Sequence, residues 1–569
     1  MNNSAKDMLE KIGLSKSYSI IENQRREIDR LSSFNEDRLK FVLEANKRLW
    51  TIGQNNSAGR EEDVHIEDPI HKQVTIEEEI APIFYHPTVQ RLAHIKQLSF
   101  SYLTFPTATH SRLSHSLGVC KNAELVLGRI LQRGVLYQRT GTPAQIPLSE
   151  LQKRDLLIKT KVAALLHDIG HGPFGHGLDQ YLVTSDADDP VPDKVHGIEI
   201  IKRYLGEVIE GCGVNPNEVI AILQKNTQGS LAEYDNLAKE IIDSPLDVDR
   251  MDYLVRDAHL TGLSLGTVNV EALISRMVPF VETDESTNQR LIVLVFHPSA
   301  IPYITHLLYA RDSMYLNCYE HPRKLIAEKM LMRAVEDFRS RHSVDVDDLI
   351  LLTDEQLMRL LLEHSKEDDV SFKYAFALMR NALFEEVYAI YPKARELWER
   401  KHQSKSETKP AVPSDVLDPR NRSIGAVTAS ASTGSATAPP KPSEAVQDWR
   451  KKRLSYKRKF DSRPKEFEDD IARLCGIEDS ERWKLLVTVP SEGMYQRKDD
   501  QIRILTFKNG VYGYDTWNEL TGSWEDVLEQ IGSERYCFRV FVSPDLADKK
   551  ALIESVAKDY MTEQRTSVS

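Results

Sequence analysis

An apolar helical run that ends in a cluster of histidines constrains this chain more than any other feature. Leu157, Ile158, Val162, Leu165, Leu166 and Ile169 recur at steps of one, three or four residues, the spacing of one buried helix face. The sequence then reads His167-Asp168-Ile169-Gly170-His171-Gly172-Pro173-Phe174-Gly175-His176-Gly177-Leu178-Asp179. Adjacent side chains on a helix diverge by about 100°, so His167 and Asp168 reach one target only where the helix runs out. Gly170, Gly172 and Pro173 predict that end. Imidazole and carboxylate together suit Mn, Fe, Zn or Mg rather than a thiolate-seeking metal. A lone buried His-Asp pair more often satisfies itself, but two further histidines in a glycine-rich turn tip the balance toward chemistry. Gly170-x-Gly172-x-x-Gly175 also spells a dinucleotide fingerprint. That motif needs a preceding strand, whereas here a helix-length run precedes it and Pro173 interrupts it, so it is a decoy.

A chain of 569 residues is too long for one ordinary core, and two or three domains are expected. Hydrophobic residues at 41% and charged residues at 28% describe a soluble chain with ample core material. Five scattered cysteines without a CxxC pair exclude a disulfide framework and a zinc ribbon, and point to free thiols in a reducing, cytoplasmic compartment. The opening MNNSAKDMLEKIGL lacks the apolar centre of a secretory leader. The longest apolar stretch, Leu291–Phe296, is far too short to span a membrane. A net charge of −12 means that any polyanion must meet locally concentrated positive charge.

Along the chain, residues 1–62 read as a polar extension with helical patterning near Leu39–Trp50. Residues 63–400 show dense helical periodicity, with strand-like alternation confined to Leu291–Phe296. Residues 401–447 are rich in Ser, Thr, Ala and Pro and cannot bury enough surface to offset ordering, so a flexible linker is expected. In 448–569 the runs at 483–490, 502–507 and 536–543 read as strands, Asn509-Gly510 as a turn and 545–563 as a helix. The expectation is a mostly α protein: a helical core, then a small α+β C-terminal domain.

Two more segments place reactive residues at helical spacing. His115 follows Arg112 by three residues in Thr109-His110-Ser111-Arg112-Leu113-Ser114-His115-Ser116-Leu117-Gly118, so both share one side of a helix. In Asp247-Val248-Asp249-Arg250-Met251-Asp252-Tyr253-Leu254-Val255-Arg256-Asp257, positions 249, 253 and 256 share a face. Taken alone, each is explained as well by a solvated or salt-bridged helix. Taken in order, His115, His167-Asp168 and Asp249 resemble the H…HD…D ligand set of the HD-domain metal-dependent phosphohydrolases. Gln97-Leu98, the His110–Gly118 segment, HDIGHGPFGH and DVDRMDY further resemble the deoxynucleoside triphosphate triphosphohydrolase branch (dGTPases and SAM-and-HD-domain enzymes), over roughly residues 64–335.

That resemblance implies an all-α HD core, a divalent metal ion held by His115, His167, Asp168 and Asp249, and a homo-oligomer. It implies that His176 protonates the leaving oxygen with Asp179 as its carboxylate partner, and that His171 and His196 line the phosphates. Arg112, Arg250, Tyr253 and Arg311 match phosphate contacts. Gln97 and Asp257 match groups that read the sugar 3′-hydroxyl, Leu98 crowds the 2′ position, and Tyr315, Tyr319 and Glu320 fall where sugar and base pack. The chain departs from the pattern at Gly197, where relatives often carry Glu, and at Glu320, where an amide is common. Tyr85 and Ala93 stand where nucleotide-activated relatives hold an acid and an arginine, which argues against guanine activation of that kind.

The implied reaction is hydrolysis of a dNTP to deoxynucleoside and intact triphosphate. Its rivals are a phosphodiesterase or 5′-nucleotidase on the same metal, and a nucleic-acid-binding scaffold with a vestigial site. The cationic run Arg450–Lys459 suits a solvated linker exit, nucleic acid, an anionic effector or a nuclear address.

Overall fold

The computed structural model describes residues 36–51, 62–179, 192–224, 231–266, 268–283, 289–390, 464–488, 501–521 and 538–566. The 401–447 segment and the cationic run 450–459 lie outside the described residues. Helix α1 (Glu36–Thr51) is followed by a hairpin of β1 (Val64–Asp68) and β2 (Lys72–Ile76). The helical core then runs through α2 (Arg112–Arg133), α3 (Glu150–Leu166), the single turn α4 (His176–Asp179), α5 (Pro192–Ile200), α6 (Glu233–Ile242) and α7 (Val248–Thr261). It continues with α8 (Ile301–Met314), whose end Tyr315–Tyr319 widens into a π-helical turn, and with α9 (Pro322–Arg341) and α10 (Asp354–Glu363).

Local chemistry explains the ends. Ser111 caps α2 by accepting the Ser114 N–H, and Gly134 at φ 65° closes it. Ser149 and Gln152 form a capping box on α3, and Asp247 accepts the Arg250 N–H at the start of α7. From Thr160 to Gly175 every residue is buried, so α3 runs into the molecular centre and delivers its histidines there. That is the reverse of an amphipathic surface helix.

Strands are more numerous than the periodicity suggests. β3 (Met277–Thr283) pairs antiparallel with β4 (Arg290–Phe296). Both are buried along most of their length; β4 is the strand read at Leu291–Phe296, apolar throughout rather than alternating with polar residues. After α10, β5 (Glu385–Ile390) ends the described part of the HD side of the chain. C-terminal to it lie β6 (Leu485–Thr488), β7 (Arg503–Lys508), β8 (Val511–Thr516) and β9 (Phe538–Val542).

The C-terminal segment is α+β as expected, but its strands do not form sheets of their own. β7 and β8 extend the β3–β4 pair into a sheet ordered β8-β7-β4-β3, and β9 lies between β5 and β6. Leu486, Ile504, Trp517 and Phe541 share one hydrophobic core with Leu165 and Ile169 of the histidine helix and turn. Asn509 (φ 53°) and Gly510 (φ 81°) make the tight turn between β7 and β8, both positive as a two-residue hairpin requires. Among the described residues no helix is long and apolar enough to cross a membrane.

Candidate metal centre

The turn after α3 is held from outside. Arg91, fully buried, donates through Nη2 to the carbonyls of Ile169 (2.9 Å) and His171 (3.0 Å), and through Nη1 to Ile350 (2.8 Å). Burial, with Arg112 nearby, pulls the Arg91 guanidinium down to about 9. Asp354, at the start of α10, accepts the N–H of Phe174 (2.7 Å) and of Lys96 (3.0 Å), tying the histidine turn to the Gln97 loop. Phe174 takes φ 58° and stacks on Phe100 at 4.4 Å. Gly170 is needed because a Cβ there would lie 1.9 Å from the Asp193 carbonyl oxygen and 2.3 Å from Gly197 N.

Four of the residues singled out in the sequence converge where α2, α3 and α7 meet. One ligand atom from each of His115, His167 and Asp249 lies within 4.8 Å of the others. His115 Nε2 is 3.0 Å from Asp249 Oδ1 and 3.9 Å from Asp168 Oδ2, and His167 Nε2 is 3.3 Å from Asp168 Oδ1 and 3.9 Å from Asp249 Oδ1. Asp168 also takes a 2.7 Å bond from Arg112, which places Arg112 and His115 on one side of α2 as their spacing predicts. Asp249 is about a third exposed and marks the open side of the cluster.

The donor set fits a divalent ion on three counts. Both Nε2 atoms are buried and face carboxylate oxygens of Asp168 and Asp249. His167 Nδ1 lies 2.8 Å from the Ala164 carbonyl and therefore carries its proton, leaving Nε2 as the lone-pair nitrogen. His115 Nδ1 faces the Asp252 carboxylate at 2.9 Å, which fixes the same tautomer. Burial pulls the His115 imidazole down, but Asp249 and Asp252 outweigh it and push it up to about 10. The cluster thus demands a cation at that nitrogen, and an arriving metal displaces a proton. Burial opposes charge on Asp168, yet His167, His171 and Arg112 hold it well below the ordinary carboxylate range. Asp249 is lowered likewise, burial being overcome by His115.

A wall of predicted substrate contacts continues from this cluster. Tyr253 lies 6.4 Å from the His115 ring and 6.3 Å from Tyr319; Tyr315 lies 5.1 Å from Tyr319, and Arg311 sits 5.0 Å over Tyr315. The Tyr319 hydroxyl donates to Asp257 (2.7 Å), which also meets His110 Nε2 at 2.8 Å. Gln97 is linked to that end through its N–H to the His110 carbonyl (2.9 Å), and its side-chain oxygen is buried without a partner. Leu98 is buried beside it, and Glu320 is buried at the end of the π-helical turn. Arg250 feels Arg311 as a like charge, with Asp247 and Asp249 as counter-charges that keep it protonated against burial. His176 opens α4, exposed, 4.6 Å from His171. His196 lies on α5, whose Asp193 comes within 3.8 Å of His171; the side chain of Asp179 lies outside the described residues.

Face assignment on α7 needs one correction. Asp249, Tyr253 and Asp257 share the face turned toward His115 and Tyr319. Arg256, expected on that face, instead turns behind the His/Asp cluster to Asp252 (2.8 Å) and Asp68 (2.7 Å). Asp252, His71, Asp68, Asp193, Arg91 and Asp354 carried no sequence assignment. Only Asp252, three residues after Asp249, had a local signal.

Residues 112–257 match the HD domain and residues 275–416 the HD associated region. The chain therefore carries an HD domain followed by its associated region, the class that this helical core and this His/Asp cluster define. It is 32% identical to the uncharacterized protein YwfO of Bacillus subtilis over 49% of this chain and 57% of that one. It is 27% identical to human deoxynucleoside triphosphate triphosphohydrolase SAMHD1 over 47% of this chain and 44% of that one. The chain spans about half the length of the curated relatives it matches. A crystal structure of a hypothetical protein from Aquifex aeolicus shares the fold, with a TM-score of 0.53 at 20% identity, covering 86% of this chain and 99% of that one.

Proposed function

We propose that this chain is a metal-dependent phosphohydrolase whose substrates are deoxynucleoside triphosphates, cleaved to deoxynucleoside and inorganic triphosphate. The observation that carries it is the row of three arginines beside the His/Asp cluster. Arg112 sits on Asp168 and Arg250 on Asp247, while Arg250 and Arg311 repel one another. Unlike a monophosphate, a triphosphate with about four negative charges answers such a row along its whole length. The tyrosine wall ending at Asp257 and Gln97 then offers a stacking surface and two hydroxyl-reading groups to a sugar. The human relative's name supports the same substrate class.

A divalent ion held by His115, His167, Asp168 and Asp249 would polarise a phosphoryl oxygen and acidify a bound water. Arg112, Arg250 and Arg311 hold the phosphates in line for displacement at the α-phosphorus. His176 donates the proton to the departing 5′-oxygen, help that is typically worth about 10²–10⁴-fold in rate.

Incubation with each dNTP and Mn²⁺ or Mg²⁺, followed by ion-exchange separation, tests the proposal. Deoxynucleoside and intact triphosphate should appear together and vanish in Asp168→Ala. Release of single phosphates would overturn the reaction class. Turnover of monophosphates that survives Arg311→Glu would identify a nucleotidase instead.

A further inference from the structure

The tip of the β1–β2 hairpin reaches across the molecule to the back of the metal centre. His71 Nε2 lies 2.7 Å from Asp252 Oδ1, although the two residues are far apart in sequence. Asp252 is fully buried, and its two oxygens are shared among four donor atoms. Oδ2 meets His115 Nδ1 at 2.9 Å and Arg256 Nε at 2.8 Å; Oδ1 meets His71 Nε2 at 2.7 Å and Arg256 Nη2 at 3.0 Å. An ionised carboxylate has about four lone-pair directions, so its acceptor capacity is filled and its plane fixed.

The other side of the hairpin tip is equally bound. Asp68 accepts Arg256 Nη1 (2.7 Å) and the N–H groups of Ile70 and His71 (both 2.8 Å). The result is a closed ring: Asp68, Arg256, Asp252, His71 and back through the His71 N–H to Asp68. Gly118 on α2 makes room for it, since a Cβ there would lie 1.9 Å from Asp252 Oδ1.

On the metal-centre reading above, on which it rests, we infer that His71 is a positioning residue for the metal. By fixing the Asp252 carboxylate it fixes the tautomer and aim of His115, and thereby couples docking of the hairpin to metal affinity. Removal of His71 leaves Oδ1 to Arg256 Nη2 alone and unties the hairpin tip from Asp252, so the carboxylate that orients His115 is held less firmly and the aim of Nε2 weakens without any ligand being lost. Because the coupling is thermodynamic it is reciprocal: a metal that needs the docked hairpin must hold the hairpin docked.

The test is Mn²⁺ binding by the full chain, followed by calorimetry and by the electron paramagnetic resonance of free Mn²⁺. His71→Ala should weaken binding about 10- to 100-fold, the range seen when partners behind a metal-bound histidine are lost. His71→Gln, whose amide N–H can reach the same oxygen, should recover most of it. Val74→Ala, which trims a fully buried hairpin side chain that carries none of the ring's polar groups, should lower the melting temperature and leave the affinity in place. In hydrogen exchange, Mn²⁺ should slow the Ile70 and His71 amides of the wild type and fail to do so in His71→Ala. Equal Mn²⁺ affinity in wild type and His71→Ala, or an equal loss in Val74→Ala, overturns the positioning role. Absence of Mn²⁺ binding by the wild type itself would instead overturn the metal centre, and the positioning role with it.

Discussion

His86 shows how little a single residue's sequence context says about its charge. It is 3% exposed, caps the turn Pro87–Gln90 by accepting the Thr88 N–H on Nδ1, and is pulled down to about 4 by burial. The native state therefore keeps this imidazole neutral, while the unfolded chain protonates it near the ordinary 6.5. The unfolded state binds more protons between those values, so stability falls as pH drops from about 6.5 to about 4 and is fully present above that window. His86→Asn keeps an N-capping acceptor without a titrating group. Denaturant unfolding at pH 7.5 and pH 4 should show the wild type losing about 3 kcal/mol more than the variant on acidification. An equal loss in both proteins would rule out His86 as the source. At this scale the residues of the His/Asp cluster were legible, because each lies in a motif. Most of their supports were not: Asp252 had a local signal three residues after Asp249, but His71 and Arg91 act through partners that only the fold brings near.

At the scale of elements, two glycines of α2 make opposite predictions. A Cβ at Gly118 would lie 1.9 Å from Asp252 Oδ1 and 2.5 Å from Arg256 Nη2, whereas one at Gly128 would meet nothing within 4 Å. Gly118→Ala should destabilise the protein by about 1–3 kcal/mol through overpacking and weaken Mn²⁺ binding with it. Gly128→Ala should stabilise it by up to about 1 kcal/mol through helix propensity. Thermal melts and Mn²⁺ titrations of the two variants check both; a destabilised Gly128→Ala would remove the contrast. Helices announced themselves in the sequence, because a 3.6-residue period survives wherever one face meets the core. β4 stood out as the apolar run Leu291–Phe296, whereas β3, buried along most of its length, carries little period, and β1 and β2 are too short to stand out. Gly197 read as a departure from a family pattern. In the fold it also lies against Gly170, where α5 packs onto the histidine turn and Asp193 approaches His171.

For the whole molecule, the shared sheets decide the cooperativity of unfolding. Arg503 of β7 meets Glu240 of α6 at 2.8 Å, and Glu240 also accepts the Leu294 N–H of β4. Burial raises the Glu240 carboxyl despite Arg503. Arg503→Ala should leave that group buried without its cation and cost about 3–5 kcal/mol. The double variant Arg503→Met/Glu240→Gln should recover most of the loss in the same unfolding assay. Because the C-terminal strands share a core with α3, calorimetry should show one transition for both parts of the chain. A truncation after residue 400 should aggregate, having lost the partners of β4 and β5. Two separable transitions, or a well-folded truncated chain, would restore the picture of an independent C-terminal unit.

By itself the sequence determined what is local: the helical period of α3, the glycines and proline that end it, the order of His115, His167-Asp168 and Asp249, and the Asn509-Gly510 turn. Each depends on neighbours a few residues away, and periodicity and capping record such neighbours directly. The tertiary structure alone decided which carboxylate orients His115, which arginine pins the histidine turn, and which strands the C-terminal segment joins. Those partners are separated by long stretches of chain. A buried polar atom is satisfied by whatever the fold brings within about 3 Å, and no local pattern encodes that choice.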